Sequence, residues 1–316
     1  MDEPVYSIFD IKRYSINDGP GIRITFFFKG CPLSCVWCHN PEGMSRKQTR
    51  MYTVSKCIMC GACVQVCPAK ALGFGRVHGA AGGGIQWDPD LCTMCGKCAE
   101  ACPTRAVEMA SKPYTPKEIY AEIQKEKPFF EASGGGVTFS GGEPLYQGEK
   151  ILQLLDYIGS AAVRDGFTLH RTLDTTLYAP AGLVREAVPR CELFMVDIKH
   201  MDSRMHRHWC GVPNEPILDN LRMIASMGAE YIVRIPYIIG VNAGPANIAS
   251  TGRYLSSLKH MPMYVELLPY HDIGKSKHSR MGTVYNPESE RMSSPSTADM
   301  EEAAEILKKY GVPSRF

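Results

Sequence analysis

Thirteen cysteines in 316 residues constrain this chain more than any other feature, because eleven of them fall into three tight groups. Cys31, Cys35 and Cys38 form C-x3-C-x2-C. Cys57, Cys60, Cys63 and Cys67 form C-x2-C-x2-C-x3-C ahead of Pro68, and Cys92, Cys95, Cys98 and Cys102 repeat that spacing ahead of Pro103. The repeat marks residues 52–110 as a module. Cys191 and Cys210 stand alone and read as small unligated residues. In a secreted chain so many thiols would suggest disulfides. The start MDEPVYSIFDIKRYS has neither a basic segment nor a long apolar one, so metal binding or catalysis in the cytoplasm is the expected use. No apolar run approaches the roughly 20 residues that span a bilayer. A net charge of +2 gives no basic footprint for nucleic acid.

The two four-cysteine runs match the pattern of bacterial two-cluster ferredoxins, in which the fourth cysteine of each run ligates the other cluster. On that pattern Cys57, Cys60, Cys63 and Cys102 hold one [4Fe–4S] cluster, and Cys92, Cys95, Cys98 and Cys67 hold another. Soft, anionic thiolates suit iron–sulfur centres. A pair of zinc sites is the alternative, since C-x2-C pairs also bind zinc. Gly61 and Gly96 sit at matched positions, where the backbone has to turn tightly. Gly79 to Gly84 reads as a flexible loop tip.

The first group has only three thiols, so a cubane held there keeps one iron open; a zinc site short of one ligand is the bland alternative. CPLSCVWC, with Trp37 before the last cysteine, resembles the signature of the radical S-adenosylmethionine (SAM) superfamily. The resemblance implies that the open iron takes the amino and carboxylate groups of SAM. Trp37, Cys38 and His39 would then lie in the SAM pocket.

Runs rich in β-branched residues alternate with amphipathic stretches. Strands are expected at Ile22–Phe28, Gly136–Ser140, Phe167–Leu173, Leu193–Ile198, Tyr231–Pro236 and Met263–Leu268. Helices are expected at Pro116–Lys127, Gly148–Arg164, Ala179–Val188, Glu215–Met227, Ala246–His260 and Thr297–Tyr310, the first with a Thr115/Glu118 capping box. Six strand–helix units imply a parallel sheet covered by helices, too few for a closed eight-stranded barrel. With the resemblance, the expected fold is α/β: a partial (βα)6 barrel of radical SAM type over 1–51 and 111–316, with an inserted α+β ferredoxin-like domain over 52–110.

Polar residues collect at the expected carboxyl ends of the strands, where such barrels do chemistry. Gly141, Gly142 and Glu143 form a GGEP turn that the resemblance assigns to the SAM amino group, with Glu143 as an acceptor. Asp197, Ile198 and Lys199 belong to the same implied pocket, although Asp197 and Lys199 also make sense as a structural ion pair. His271 reads as a pocket residue rather than a surface histidine. Asp174, Thr175, Met195 and Asp197 align with a monovalent-cation site of related enzymes. His206 and His208 read as a solvated helix end rather than a metal site.

DGPGIR (Asp18 to Arg23), together with FFFKGCPLSCVWCHNPEG, SGGGVTFSGGEPL, FMVDIKHMD and ELLPYHDIGK, resembles the glycyl-radical-enzyme activating enzymes over essentially the whole chain. The resemblance implies reductive cleavage of SAM to a 5′-deoxyadenosyl radical, which removes hydrogen from a glycine of a partner glycyl radical enzyme. Three [4Fe–4S] clusters and SAM are the implied cofactors, with a low-potential electron donor such as flavodoxin or ferredoxin and anaerobic use. Asp18, Gly19, Gly21 and Arg23 are the implied contacts for the glycine loop, at the barrel mouth. A type II turn at Pro20-Gly21 is the bland reading. Leu177 stands where the family usually has glycine, so that turn is expected to be rebuilt, and Ile239-Gly240 replaces the usual Pro-Gly. A radical SAM enzyme acting on a small molecule or peptide, and a ferredoxin-type electron carrier, are the alternatives; DGPGIR and the three-cysteine motif argue against them in turn. No residue selects among decarboxylase, dehydratase, lyase or arylsuccinate synthase partners.

Overall fold

Six parallel strands run through the structure in chain order: β1 (Arg23–Phe28), β2 (Gly136–Gly141), β3 (His170–Thr175), β4 (Leu193–Asp197), β5 (Tyr231–Tyr237) and β6 (Val265–Pro269). The computed structural model describes residues 4–76, 83–286, 289 and 291–316. Most of the expected loop tip, residues 79–82, lies outside the described residues, and Gly84 opens the strand Gly84–Trp87. The sheet extends beyond β1 by Tyr6–Ser15 and Lys112–Tyr114, both antiparallel to their neighbours, and beyond β6 by Ser314–Arg315. Its two ends do not pair with each other, so the barrel is open.

Side-chain alternation along each strand decides what faces where. Ile24, Phe26 and Phe28 of β1 join Val137, Phe139, Leu173, Val196, Val233 and Leu267 in one continuous core. The helix Glu149–Arg164 turns Ile151, Leu154, Leu155 and Ile158 into it. Full burial of each such side chain contributes about 1.5–3 kcal/mol. The opposite face of the strands is largely polar: Arg23 reaches Thr138 and Thr172, Ser140 reaches Asp174, and Asp197 lies in register with Arg234.

The expected helix over 116–127 is two helices, Pro116–Lys125 and Lys127–Ser133. Pro128 cannot donate a backbone hydrogen bond, so the second helix starts anew there. The Thr115/Glu118 capping box is present. His206 corrects the expectation of a solvated helix end. It lies buried in the helix Ser203–Cys210, with Nδ1 2.6 Å from the Val212 carbonyl oxygen.

In the insert, Arg50–Tyr52 pairs with Val107–Met109 at the neck. The two cysteine runs fold alike: short helices at Ala62–Gln65 and Lys97–Glu100 each follow a left-handed glycine, Gly61 (φ +74°) and Gly96 (φ +81°). Positive φ also recurs at Met59 and Met94, and at Lys70 and Arg105. The sequence repeat is therefore a backbone repeat.

Candidate active site

The carboxyl ends of the six strands and the Cys31–Cys38 loop enclose a cavity of about 370 Å³. Cys31, Cys35 and Cys38 all line it, as free thiols. Backbone bonds fix their loop: Cys31 N–H donates to Met44 O (2.8 Å), Ser34 N–H to Cys210 O (2.9 Å) and Val36 N–H to Trp209 O (3.1 Å). Trp37 is buried against Trp209, ring centres 6.1 Å apart, and also reaches the cavity.

The GGEP loop seats directly against this one. A Cβ on Gly142 would stand 2.4 Å from Gly30 O, and one on Gly141 (φ +115°) 2.3 Å from Phe28 N, so only glycine fits at either position. Glu143 departs from the expected acceptor role. It is fully buried, absent from the cavity wall, and accepts from Leu145 N–H (3.0 Å), Thr175 Oγ1 (2.6 Å), Thr176 N–H (2.7 Å) and Thr176 Oγ1 (2.6 Å). Burial pushes its pKa up while these donors oppose the shift. Glu143 therefore ties β3 to the GGEP loop, and the loop meets the cavity through its two glycines.

Asp197 and Lys199 both line the cavity, 3.0 Å apart. Burial disfavours both charges, but Asp197 holds the Lys199 ammonium above its usual range, and Lys199 with Arg234 holds Asp197 below the usual carboxylate range. Ile198, between them, packs into the helix-facing core and not toward the cavity. His39 and His271 stack at the rim with ring centres 4.3 Å apart, and His39 Nε2 lies 3.0 Å from the His271 carbonyl oxygen, which requires a proton on that nitrogen. Burial lowers the His39 pKa.

The four residues expected to hold a monovalent cation do not converge. Arg234 already bonds Asp174 and stands 3.6 Å from Asp197, Thr175 Oγ1 is turned to Glu143, and Met195 packs with Leu193 and Ile232. A guanidinium thus takes the place between the two aspartates, and its Nε, fully buried, has no hydrogen-bond partner. Arg234 was legible only as a polar strand end. Asn242 carried no signal, yet it donates to Lys199 O (2.8 Å) and Pro236 O (2.6 Å) and so pins the turns after β4 and β5.

Asp18 and Arg23 lie at the amino end of β1, not at the mouth. Arg23 is buried and spends its guanidinium on Thr138 Oγ1 (2.7 Å), Val137 O (2.7 Å), Thr172 Oγ1 (2.9 Å) and Pro20 O (2.9 Å), so it floors the barrel. Asp18 accepts from Ser15 Oγ (2.5 Å) and Thr25 Oγ1 (2.9 Å), and its charge is felt by Asp174 and Arg234 inside the barrel. The turn at Leu177 is not rebuilt: Leu177 keeps a left-handed φ of +58°. That strain, roughly 1–2 kcal/mol, is offset by complete burial and by Asn220 Nδ2 donating to its carbonyl at 2.8 Å.

The residues present fit iron–sulfur and SAM chemistry. Three thiols, a lysine–aspartate pair and Arg234 line one cavity. In the insert, Cys67 lines a pocket with Cys92, Cys95 and Cys98 of the other run. Fold and site together define an iron–sulfur enzyme of the radical SAM class.

Comparison with known proteins narrows this. A family model described as a 4Fe-4S dicluster domain matches residues 56–106, and one described as a 4Fe-4S single cluster domain matches residues 17–61. The trans-4-hydroxy-L-proline dehydratase activating enzyme of Clostridioides difficile is 38% identical over 303 residues, 95% of each chain. The choline trimethylamine-lyase activating enzyme of Oleidesulfovibrio alaskensis is 36% identical over 97% of this chain and 96% of that one. The benzylsuccinate synthase activating enzyme of Thauera aromatica is 38% identical over 87% and 81%. The chain belongs to the glycyl-radical-enzyme activating enzymes. It uses iron–sulfur clusters and SAM to act on a partner of the glycyl radical class. Among the described residues, no helix is long and apolar enough to cross a membrane.

Proposed function

We propose that this activase works with three [4Fe–4S] clusters, one at the barrel mouth and two in the insert over 52–110, and that it takes electrons from a low-potential flavodoxin or ferredoxin. The observation that carries the reading is the gathering of Cys31, Cys35 and Cys38 in one cavity with Lys199, Asp197 and the glycines of GGEP. Held by these residues, a cluster and SAM would supply the radical chemistry that removes a hydrogen atom from the α-carbon of the partner's glycine.

The chain's own residues bind, orient and shield. Gly141 and Gly142 would bring their backbone against the amino group of SAM, and Lys199 would offer its cation to the carboxylate. Trp37, His39 and His271 form the apolar and stacking wall for the adenine. Glu143 acts through the loop it anchors. In the insert, Cys57, Cys60, Cys63 and Cys102 hold one cluster, and Cys67, Cys92, Cys95 and Cys98 the other. The shared pocket of the last four favours this crossed assignment.

Asp18, rather than Arg23, meets the glycine loop, which would approach from the amino end of the strands, because the Asp18 carboxylate keeps some exposure while Arg23 is buried with every arm bonded within the barrel floor. Gly19 and Gly21 shape the turn that presents Asp18: a Cβ on Gly21 would stand 2.5 Å from Gly135 N. Asp18→Ala should lower the glycyl-radical EPR signal formed on the partner about ten- to a hundredfold, as expected for one lost charge-assisted hydrogen bond of about 1.5–3 kcal/mol. It should leave 5′-deoxyadenosine formation without partner unchanged. Arg23→Ala should instead lower the midpoint of thermal unfolding. Equal loss of both activities in Asp18→Ala would assign that residue to SAM binding or folding.

A further inference from the structure

Arg50 enters the insert from its neck and ends among the cysteines. It is 95% buried, since only 5% of its surface is exposed, and its Nε and one terminal nitrogen, Nη2, have no hydrogen-bond partner. Its guanidinium carbon lies 5.2 Å from the Tyr52 ring centre and 5.7 Å from that of Trp87, so two aromatic rings hold it in place. No carboxylate among the described residues pairs with it. A desolvated cation left in this way is costly unless an anion sits beside it.

The wall it shares shows which anion. Arg50 lines the pocket formed by Cys67, Cys92, Cys95 and Cys98. A cubane bound by four thiolates is anionic when oxidised and carries one further negative charge when reduced. Net charge and hydrogen bonds to sulfur are the protein's levers on its potential.

We propose that Arg50 is the built-in counter-charge of the insert, and that its guanidinium stabilises the reduced state of the cluster held by Cys67, Cys92, Cys95 and Cys98. This rests on the two-cluster reading of the insert. Arg50 is a positioning and tuning residue: it ligates no iron and touches no substrate.

The test uses the full chain, reconstituted anaerobically, with Cys31, Cys35 and Cys38 replaced by alanine so that only the insert contributes signals. Iron content and an EPR-monitored redox titration are read together. In Arg50→Met, iron should stay at about eight per chain. The ratio of reduced to oxidised cluster at fixed potential should fall about tenfold, a downward shift of about 59 mV for a one-electron couple. Arg50→Lys, which keeps the charge, should stay within about a factor of two of the parent. An unshifted potential in a fully loaded Arg50→Met, or an Arg50→Lys shifted as far as the methionine variant, would overturn the proposal. If Arg50→Met loses iron, recovery by lysine but not by Arg50→Gln supports the charge role, and loss in all three makes Arg50 merely structural. Fewer than about eight irons in the parent would sink the two-cluster reading itself.

Discussion

Replacing Cys31, Cys35 and Cys38 together by alanine should take reconstituted iron from about twelve atoms per chain to about eight and bring 5′-deoxyadenosine formation to background. The effect should be complete because these three are the cysteines on the cavity wall among the described residues; Cys210 is buried and is not on that wall. The substitution is also clean. The loop is held by backbone bonds to Met44, Trp209 and Cys210, none of which involves a sulfur, so it should keep its course without its thiols. The insert has its own core around Tyr52, Leu72, Ile85 and Val107, separate from the core around Leu33, Trp37 and Trp209. Its clusters should therefore remain visible by EPR. SAM cleavage persisting at the parent rate would remove the mouth cavity from the chemistry, and a drop to about four irons would show the insert collapsing with it.

Arg234→Met is expected to be the most destabilising single substitution in the barrel, at about 3–5 kcal/mol. The guanidinium bonds Asp174 and stands 3.6 Å from Asp197, and all three side chains are largely buried. Methionine fills the volume but leaves two facing carboxylates, one supported by Ser140 Oγ at 2.5 Å and the other by Lys199 at 3.0 Å. Burial already pushes Asp174 above the usual carboxylate range despite Arg234, and Asp197 adds to the shift. Without the arginine Asp174 should be raised further above its unfolded-state value, while Lys199 still holds Asp197 down. A group raised in this way stabilises the fold at low pH and loses that contribution as pH rises through its folded-state pKa. The deficit of the variant against the parent should therefore be smaller near pH 5 than near pH 8, measured by urea unfolding at each pH. Adding Asp174→Asn should recover part of the loss at pH 8. A pH-independent deficit, or no recovery by the second substitution, would mean that Arg234 serves packing alone.

The sequence was most legible where one local pattern decides the outcome. Each of the six β-branched runs became a strand within a few residues of its expected bounds, because burial of one face needs only neighbours in the chain. The strand Tyr6–Ser15 was passed over: only Tyr6 and Ile8 are buried apolar residues, and Asp10, Lys12 and Arg13 interrupt the apolar pattern beyond them. Site residues were legible as to type but not as to direction. Glu143 turns away from the cavity because Thr175 and Thr176, at the end of another strand and just beyond it, offer it three of its four hydrogen bonds. Arg23 is drawn under the barrel by Thr138 and Thr172, more than a hundred residues away in the chain. Arg234 displaced the expected cation because it faces both aspartates across the register of β3, β4 and β5. No spacing rule reaches such distances.

A metabolite reaches the inside of a barrel by falling in at one end. A glycine within a folded partner arrives with polypeptide attached on both sides, and a sealed ring of strands would have to be threaded and unthreaded at every turnover. The sheet here stops at Lys112–Tyr114 on one flank and at Ser314–Arg315 on the other, and the two flanks never join. A loop of the visitor would be laid in sideways and lifted out uncut. Both margins are too short to template a long strand, and they carry Lys112, Pro113 and Arg315, residues that discourage the stitching of a foreign strand onto a sheet. A partner entering through that gap would leave by the same way, with no strand to unthread.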